Sequence, residues 1–249
     1  MKRIIISGCN GKMGKKISSC IRERNDCTVV AGIDKNPESF DGFPVFAAPA
    51  ECPVQADVLI DFSHPSALAS LLAYCVDKKL PAVIATTGLS NEQIEQIKEC
   101  SKQVPLFFSF NMSLGVNLLA QLAKKAAAVL GDQFDIEIIE KHHNQKIDAP
   151  SGTALMLADA VSSVLKEEPQ YVYDRHAVRK KRSKNEIGIH AVRGGTIVGE
   201  HEILFAGHDE MLTLSHTAMS KEIFATGSIN AAIFLCGKSA GLYDMGDIV

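Results

Sequence analysis

Two adjacent histidines (His142, His143), a lysine three positions further on (Lys146) and a Ser151, Gly152, Thr153 triplet behind Pro150 fall within twelve residues of one another. Histidine is the side chain best matched to proton transfer near neutral pH. A Ser-Gly-Thr triplet that opens a helix offers free backbone N–H groups and a hydroxyl, which together make a pocket for a carboxylate. The stretch reads as a site that binds an anion and moves a proton. Singly, each residue has a plainer use: Ser151 caps, Gly152 permits the turn and His143 packs. The coincidence of all six is what points to chemistry. A metal centre does not fit, because adjacent strand histidines diverge and no Glu or Cys completes a ligand motif.

The elements around these residues have to position them. Residues 134–140 alternate as a strand, so His142 and His143 point to opposite sides if the extension continues. Pro150 and that strand argue against a helix between 142 and 150, so a curled loop must return Lys146 towards His142. A lysine there disfavours the imidazolium, and a bound dianion would restore it, tying protonation to binding. Residues 151–166 follow as a helix with Leu155, Ala158, Val161, Val164 and Leu165 inward.

Upstream lies a different device. A β-rich run, Arg3 to Ser7, leads into Gly8, Cys9, Asn10, Gly11, Lys12, Met13 and Gly14, then into a helix over 15–24 and a second strand over 28–33 that ends at Asp34 and Lys35. This is a βαβ unit with a glycine-rich first turn, where backbone can approach a pyrophosphate and a helix N-terminus faces it. The spacing is Gly-x-x-Gly-x-x-Gly rather than the commoner Gly-x-Gly-x-x-Gly, so the flanking strand, helix and acid carry the reading. Asp34 can accept from an adenosine ribose and Lys35 can pair with a 2′-phosphate, which suggests tolerance of both NADH and NADPH. Further strands over 56–62, 82–85 and 106–109 alternate with helices over 66–78 and 91–103. Each strand ends in a polar or glycine turn: Phe62 and Ser63; Ala85, Thr86, Thr87 and Gly88; Ser109, Phe110, Asn111 and Met112. A nicotinamide crevice at strand C-termini requires such turns.

After residue 113 the alternation stops. A helix over 116–130, the strand at 134–140, the helix at 151–166, strands over 187–192 and 196–205 joined by a hairpin at Gly194 and Gly195, a strand over 210–216 and a helix over 222–237 follow. The fold class is α/β: a doubly wound parallel sheet in the N-terminal half and an α+β second half, with the last helix able to return to either. The 249 residues suit one large domain or two modest ones. A net charge of −3 gives no field for nucleic acid. The basic loop from Arg179 to Lys184 lacks interleaved aromatics and reads as solvated. No apolar run reaches membrane-span length and Gly8 cuts short any signal peptide. Seven scattered cysteines without a Cys-x-x-Cys read as free thiols in a reducing cytosol, so a cytoplasmic location is expected.

These motifs resemble, over essentially the whole chain, the 4-hydroxy-tetrahydrodipicolinate (dihydrodipicolinate) reductase family. The resemblance rests on Gly8 to Gly14, Asp61 with Phe62, Ala85 to Gly88, Asn111 to Asn117, Val198 to His201, His216 to Gly227, Gly241 to Met245 and above all Glu140 to Ala154. It implies a reductase of a cyclic imine dicarboxylate on the diaminopimelate and lysine pathway, using NADPH or NADH. It also implies a Rossmann-type domain of residues 1–113 plus 221–249, a substrate-binding and tetramerisation domain of 114–220, hinge closure and a homotetramer without nucleic-acid or membrane partners. On this resemblance, Gly8, Cys9, Asn10, Gly11, Lys12 and Met13 hold the pyrophosphate, and Asp34 and Lys35 the adenosine ribose. Phe62, Ala85, Thr86, Thr87, Ser109, Phe110, Asn111 and Met112 approach the nicotinamide side. His142 donates the proton with Lys146 assisting, and His143, Lys146, Ser151, Gly152 and Thr153 hold the substrate carboxylates. No metal is implied. Two positions depart from the family, which usually has arginine where this chain has Lys221, and arginine or a similar residue at His64. Lys221 keeps the charge without the bidentate fork.

Two other readings compete. One is a dehydrogenase of another imino or amino acid. The other is a non-catalytic nucleotide sensor on the same scaffold, which would have no use for a proton donor at His142.

Overall fold

In the computed structural model, which describes residues 1–39 and 41–248, the chain divides into two compact units, Met1–Leu114 with Glu222–Val249, and Gly115–Lys221. The first unit is built on seven parallel strands. These are β1 (Lys2–Ser7), β2 (Cys27–Ile33), β3 (Val45–Phe46), β4 (Val58–Asp61), β5 (Ala82–Ile84), β6 (Pro105–Phe108) and, near the C-terminus, β12 (Gly241–Tyr243). Their order across the sheet is β12-β6-β5-β4-β1-β2-β3, the Rossmann arrangement, with the reversal of direction at β1. Both faces are covered, so the central strands read as continuous apolar runs. Successive residues of β1 then serve opposite cores. Ile4 and Ile6 join helices α1 (Lys12–Arg22) and α6 (Glu222–Leu235) on one face, while Ile5 joins α2 (Leu68–Lys78) and α3 (Asn91–Ser101) on the other. The last helix therefore belongs to the first unit. Its Gly227 is obligatory there, since a Cβ would stand 1.7 Å from the Met112 carbonyl oxygen.

The second unit has one mixed five-stranded sheet. Its strands are β7 (Asp135–His142), β8 (Gln170–Val172), β9 (Glu186–Arg193), β10 (Gly199–Ala206) and β11 (Met211–Ala218), in the order β11-β10-β7-β9-β8. Helices α4 (Leu114–Leu130) and α5 (Gly152–Ser162) bury their apolar stripes on one face, against Ile136, Ile138, Ile187, Ile189, Ile203 and Phe205.

Three expectations change. The hairpin at Gly194 and Gly195 does not form. β9 runs parallel to β7 and β10 antiparallel to it, so β7 lies between them and the 194–198 connection crosses the end of β7. The two glycines bond there instead: Gly194 N–H donates to the His142 carbonyl and Asn144 N–H to that of Gly195. The stretch 36–55, where the sequence suggests neither strand nor helix, holds β3 and a 3-10 turn at Pro49–Glu51. The basic loop is not simply solvated, because Arg182 reaches back to Glu137 at 3.0 Å and Asp135 at 2.8 Å, and donates to the Ile136 carbonyl.

Candidate functional site

Stepping along β7 two residues at a time traces how the second unit changes from core to chemistry. Ile136 and Ile138 point into the apolar cluster under the helices, flanked by Ile187 and Ile189 of β9 and by Phe205 and Ile203 of β10. The next two inward positions are Glu140 and His142, both buried. Beside them the register places His201 opposite Glu140 and Arg193 opposite His142. One face of one sheet thus carries an apolar half and a polar half.

The polar half is organised around Glu140, which is 0% exposed and bonded at both carboxylate oxygens. One carboxylate oxygen accepts from His142 Nδ1 at 2.6 Å and from Arg193 Nη1 at 2.8 Å. The other accepts from Arg193 Nη2 at 2.8 Å and from the Ser151 backbone N–H at 3.0 Å. Burial opposes ionisation, yet Arg193, His142 and the Ser151 N–H outweigh it and hold the carboxyl below its ordinary range. His142 is lowered. Burial disfavours its imidazolium first, Lys146 and Arg193 add to that, and Glu140 works the other way. His201, its ring 5.2 Å edge-on from that of His142, is pushed by burial and by the neighbouring histidine down to about 4. Its Nε2 lies 3.0 Å from Ser151 Oγ. The Ser151 hydroxyl accepts from Ala154 N–H as the N-cap of α5, so it has its proton to give to a neutral His201.

Lys146 returns to the strand end through a turn closed by its own N–H on the His143 carbonyl. Its ammonium sits 2.8 Å from Asp148 Oδ1. His142 lies in the last position of β7 and His143 just beyond it, half-buried. Gly152 is exposed, with nothing within 4 Å of where a Cβ would stand, and Thr153 is half-buried at the first turn of α5. His142, Lys146, Ser151, Gly152 and Thr153 therefore share one end of the second unit. Glu140, Arg193 and His201 complete it. Sequence reasoning assigned them no role, although an acid at an inward position of β7 demands a buried cation. Which cation required the β7–β9 register.

The first unit gathers the other set at the C-terminal ends of adjacent parallel strands. Gly8 (φ 76°) follows β1, and a Cβ there would meet the Phe62 carbonyl oxygen at 2.6 Å, so only glycine lets the β1 and β4 turns approach. Gly14 is buried and equally tight, 2.2 Å from the Gly8 carbonyl oxygen by the same construction. Asp34 accepts from Asn10 N–H at 3.0 Å and Asn36 N–H at 3.1 Å, which ties the end of β2 to the glycine turn, while Lys35 is exposed. Thr86 Oγ1 donates to buried Asp61 at 2.6 Å, Ser109 Oγ donates to the Asn111 carbonyl, and Asn111 accepts from Ser113 N–H. Cys9, Ala85 and Met112 are buried in the core, so their backbone groups are what the turns present. Thr87 and Phe110 are exposed; Phe62 and Met13 lie partly buried against the core, and Gly11 caps α1 ahead of exposed Lys12. His64 is used locally, its Nδ1 accepting from Ser66 N–H.

A dinucleotide fits this cradle on an observation internal to it. Asn10 Oδ1 and Ser63 Oγ, on the two turns that meet at Gly8, are buried without a hydrogen-bond partner. Buried polar atoms of that kind are rare and call for a partner. Among the described residues no three His, Cys, Asp or Glu side chains converge as metal ligands, and no helix is long and apolar enough to cross a membrane.

Residues 2–112 match the family description "Dihydrodipicolinate reductase, N-terminus", and residues 115–249 "Dihydrodipicolinate reductase, C-terminus". The chain is 54% identical to the 4-hydroxy-tetrahydrodipicolinate reductase of Caldanaerobacter subterraneus subsp. tengcongensis, over 100% of this chain and 98% of that one. It is 51% identical to that of Clostridium novyi with the same coverage. Among solved structures, dipicolinate-bound dihydrodipicolinate reductase from Paenisporosarcina sp. TG-14 superposes with a TM-score of 0.84 at 27% identity, covering 100% of both chains. A myo-inositol dehydrogenase from Corynebacterium glutamicum, at 17% identity and TM-score 0.61 over 97% of this chain and 90% of that one, shares the fold.

Proposed function

We propose that this chain, which belongs to the dihydrodipicolinate reductase family, reduces 4-hydroxy-tetrahydrodipicolinate, by way of the dehydrated cyclic imine, to tetrahydrodipicolinate in diaminopimelate and lysine biosynthesis. The protein is an NAD(P)-dependent oxidoreductase of the cytoplasm. The observation that carries the reading is the joining of His142, Lys146 and the α5 N-terminus at one end of the second unit, in a chain whose first unit holds a dinucleotide cradle.

The nicotinamide cofactor supplies a hydride, taken at ring carbon 4 of the conjugated imine. The residues of the cradle bind and orient. Gly8 and Gly11 bring backbone N–H groups and the α1 N-terminus to the pyrophosphate. Asp34 keeps lone pairs for ribose hydroxyls and exposed Lys35 suits a 2′-phosphate, so both NADH and NADPH are accepted. In the second unit the carboxylates of the substrate lie against the N–H groups of Gly152 and Thr153, with His143 and Lys146 as further donors. Lys146 leaves Asp148 for this. The incoming dianion also offsets the burial and the cations that hold His142 neutral, so the imidazolium forms when substrate is bound. His142 then gives its Nε2 proton to the carbon beside the new C–H bond, keeping the N–H electron pair. Lys146 and the helix N-terminus stabilise the negative charge meanwhile. The second unit also forms the contacts of a homotetramer.

The test is oxidation of NADPH and of NADH by the full-length protein, with the imine generated freshly by a coupled synthase. Turnover dependent on that imine is expected. Tight NADPH binding without turnover, or turnover of a different imine only, would overturn the assignment.

A further inference from the structure

An ionised carboxylate paired to arginine at the end of an apolar sheet face is a weak contributor to stability, since desolvation offsets the attraction. Glu140 is such a group, and beyond the two bonds from Arg193 its other two go to things the reaction needs at once, the His142 ring and the Ser151 N–H that opens α5. We propose that Glu140, held by Arg193, is a positioning residue for the reaction: its single carboxylate fixes the tautomer of His142 and the place of the α5 N-terminus together, so that proton donor and carboxylate pocket form one rigid set.

The tautomer follows from hydrogen-bond inventory. An ionised carboxylate accepts only, so at 2.6 Å the His142 Nδ1 must carry the hydrogen. Neutral His142 then bears its lone pair on Nε2, and the imidazolium gives up its proton from Nε2 alone. Nε2 lies towards Gly199, where a Cβ would stand 3.1 Å from it, so only glycine leaves that nitrogen its room. The second link is Ser151. Its N–H is bound by Glu140, its hydroxyl caps Ala154, and the same hydroxyl meets His201. A shift of the Glu140 carboxylate therefore moves Ser151, and with it the first turn that presents Gly152 and Thr153.

Arg193 explains why the acid stays ionised when buried. Its fork takes both oxygens, and Nη2 also donates to the Asp148 carbonyl at 2.6 Å, so the loop that carries Lys146 hangs from the same guanidinium. The charged and titratable groups facing His142 are then Glu140 on β7, Arg193 on β9, His201 on β10 and Lys146 on the loop. Glu140 is the only anion in that set.

The inference rests on His142 being the donor, and the experiment separates the two. In full-length wild type, ring ¹⁵N spectra above the His142 titration, assigned by the resonance lost in His142→Gln, should show a protonated Nδ1 and a bare Nε2. In Glu140→Gln, kcat should fall about 10²-fold. The KM for the dicarboxylate should rise while that for NADPH stays fixed, and the alkaline fall of kcat/KM should begin at lower pH, because the one anion favouring the imidazolium is gone. If His142→Gln is impaired but Glu140→Gln is not, the positioning role is wrong and the donor stands. If His142→Gln keeps full activity, the donor assignment falls and this inference with it. Should Glu140→Gln not fold, the wild-type tautomer decides: an Nε2-protonated neutral ring overturns the proposal.

Discussion

Replacing Gly199 by alanine probes whether His142 works from Nε2. Gly199 opens β10, buried between Ala218 of β11 and the end of β7. Its φ is not positive, so alanine suits the backbone. The new methyl would stand 3.1 Å from His142 Nε2 and 3.4 Å from Cδ2, against ordinary contact at 3.4–4 Å, so something must move by a few tenths of an ångström. The ring cannot simply retreat, because Nδ1 is held by Glu140 at 2.6 Å and the His201 ring lies edge-on 5.2 Å away. Overpacking of this kind costs about 1–3 kcal/mol, which a folded domain can absorb. The larger effect is chemical, since the methyl covers the nitrogen that delivers the proton. A misplacement of about 1 Å at a reacting centre costs about 10²-fold, so a fall in kcat of about 10- to 100-fold is expected. Steady-state turnover at saturating NADPH measures it, with the dinucleotide KM as control. A kcat within about twofold of wild type in a folded variant would refute the geometry assigned to Nε2.

In the first unit, Gly8→Ala would place a Cβ 2.6 Å from the Phe62 carbonyl oxygen at a left-handed φ of 76°, so the β1 and β4 turns must part. NADPH titration should show at least about tenfold weaker binding, equivalent to about 1.4 kcal/mol, and unchanged affinity would remove that turn from the cofactor site. His201 predicts a pH dependence of stability. Its folded value of about 4 lies below the unfolded 6.5, so the unfolded chain binds the extra proton in that window. Stability is full above pH 6.5 and falls towards pH 4, by about 3 kcal/mol from this group. Denaturant melts of wild type and His201→Gln should differ in slope across that range, and parallel curves would contradict the burial argument.

How much could be read beforehand differs between the units. The alternation of apolar runs and helices gave the parallel sheet, because strands buried on both faces and their glycine turns are local signals, visible residue by residue at Gly8 and Asp34. In the second unit the pairing is not local. Two strands beside two glycines look like a hairpin until β7 is seen lying between them, and nothing within 187–205 encodes that insertion. The same non-local register hid Arg193 and His201. His142 was visible as chemistry, but the acid that orients it looked like one more polar residue on a strand, and its partner lay 53 positions away. Arg182 was hidden likewise, since a basic run gives no sign of which arginine folds back onto Glu137.

The most direct test of His142 as the proton donor is the pH profile of kcat/KM for wild type beside His142→Gln. That ratio reports ionisations of the free enzyme, where burial holds His142 below 6.5. The reaction needs the imidazolium, so wild-type kcat/KM should fall as pH rises through that lowered value. The variant should be slower by about 10²-fold or more at the acidic end and lack this limb. The same limb at the same pH in both proteins would show that another group delivers the proton.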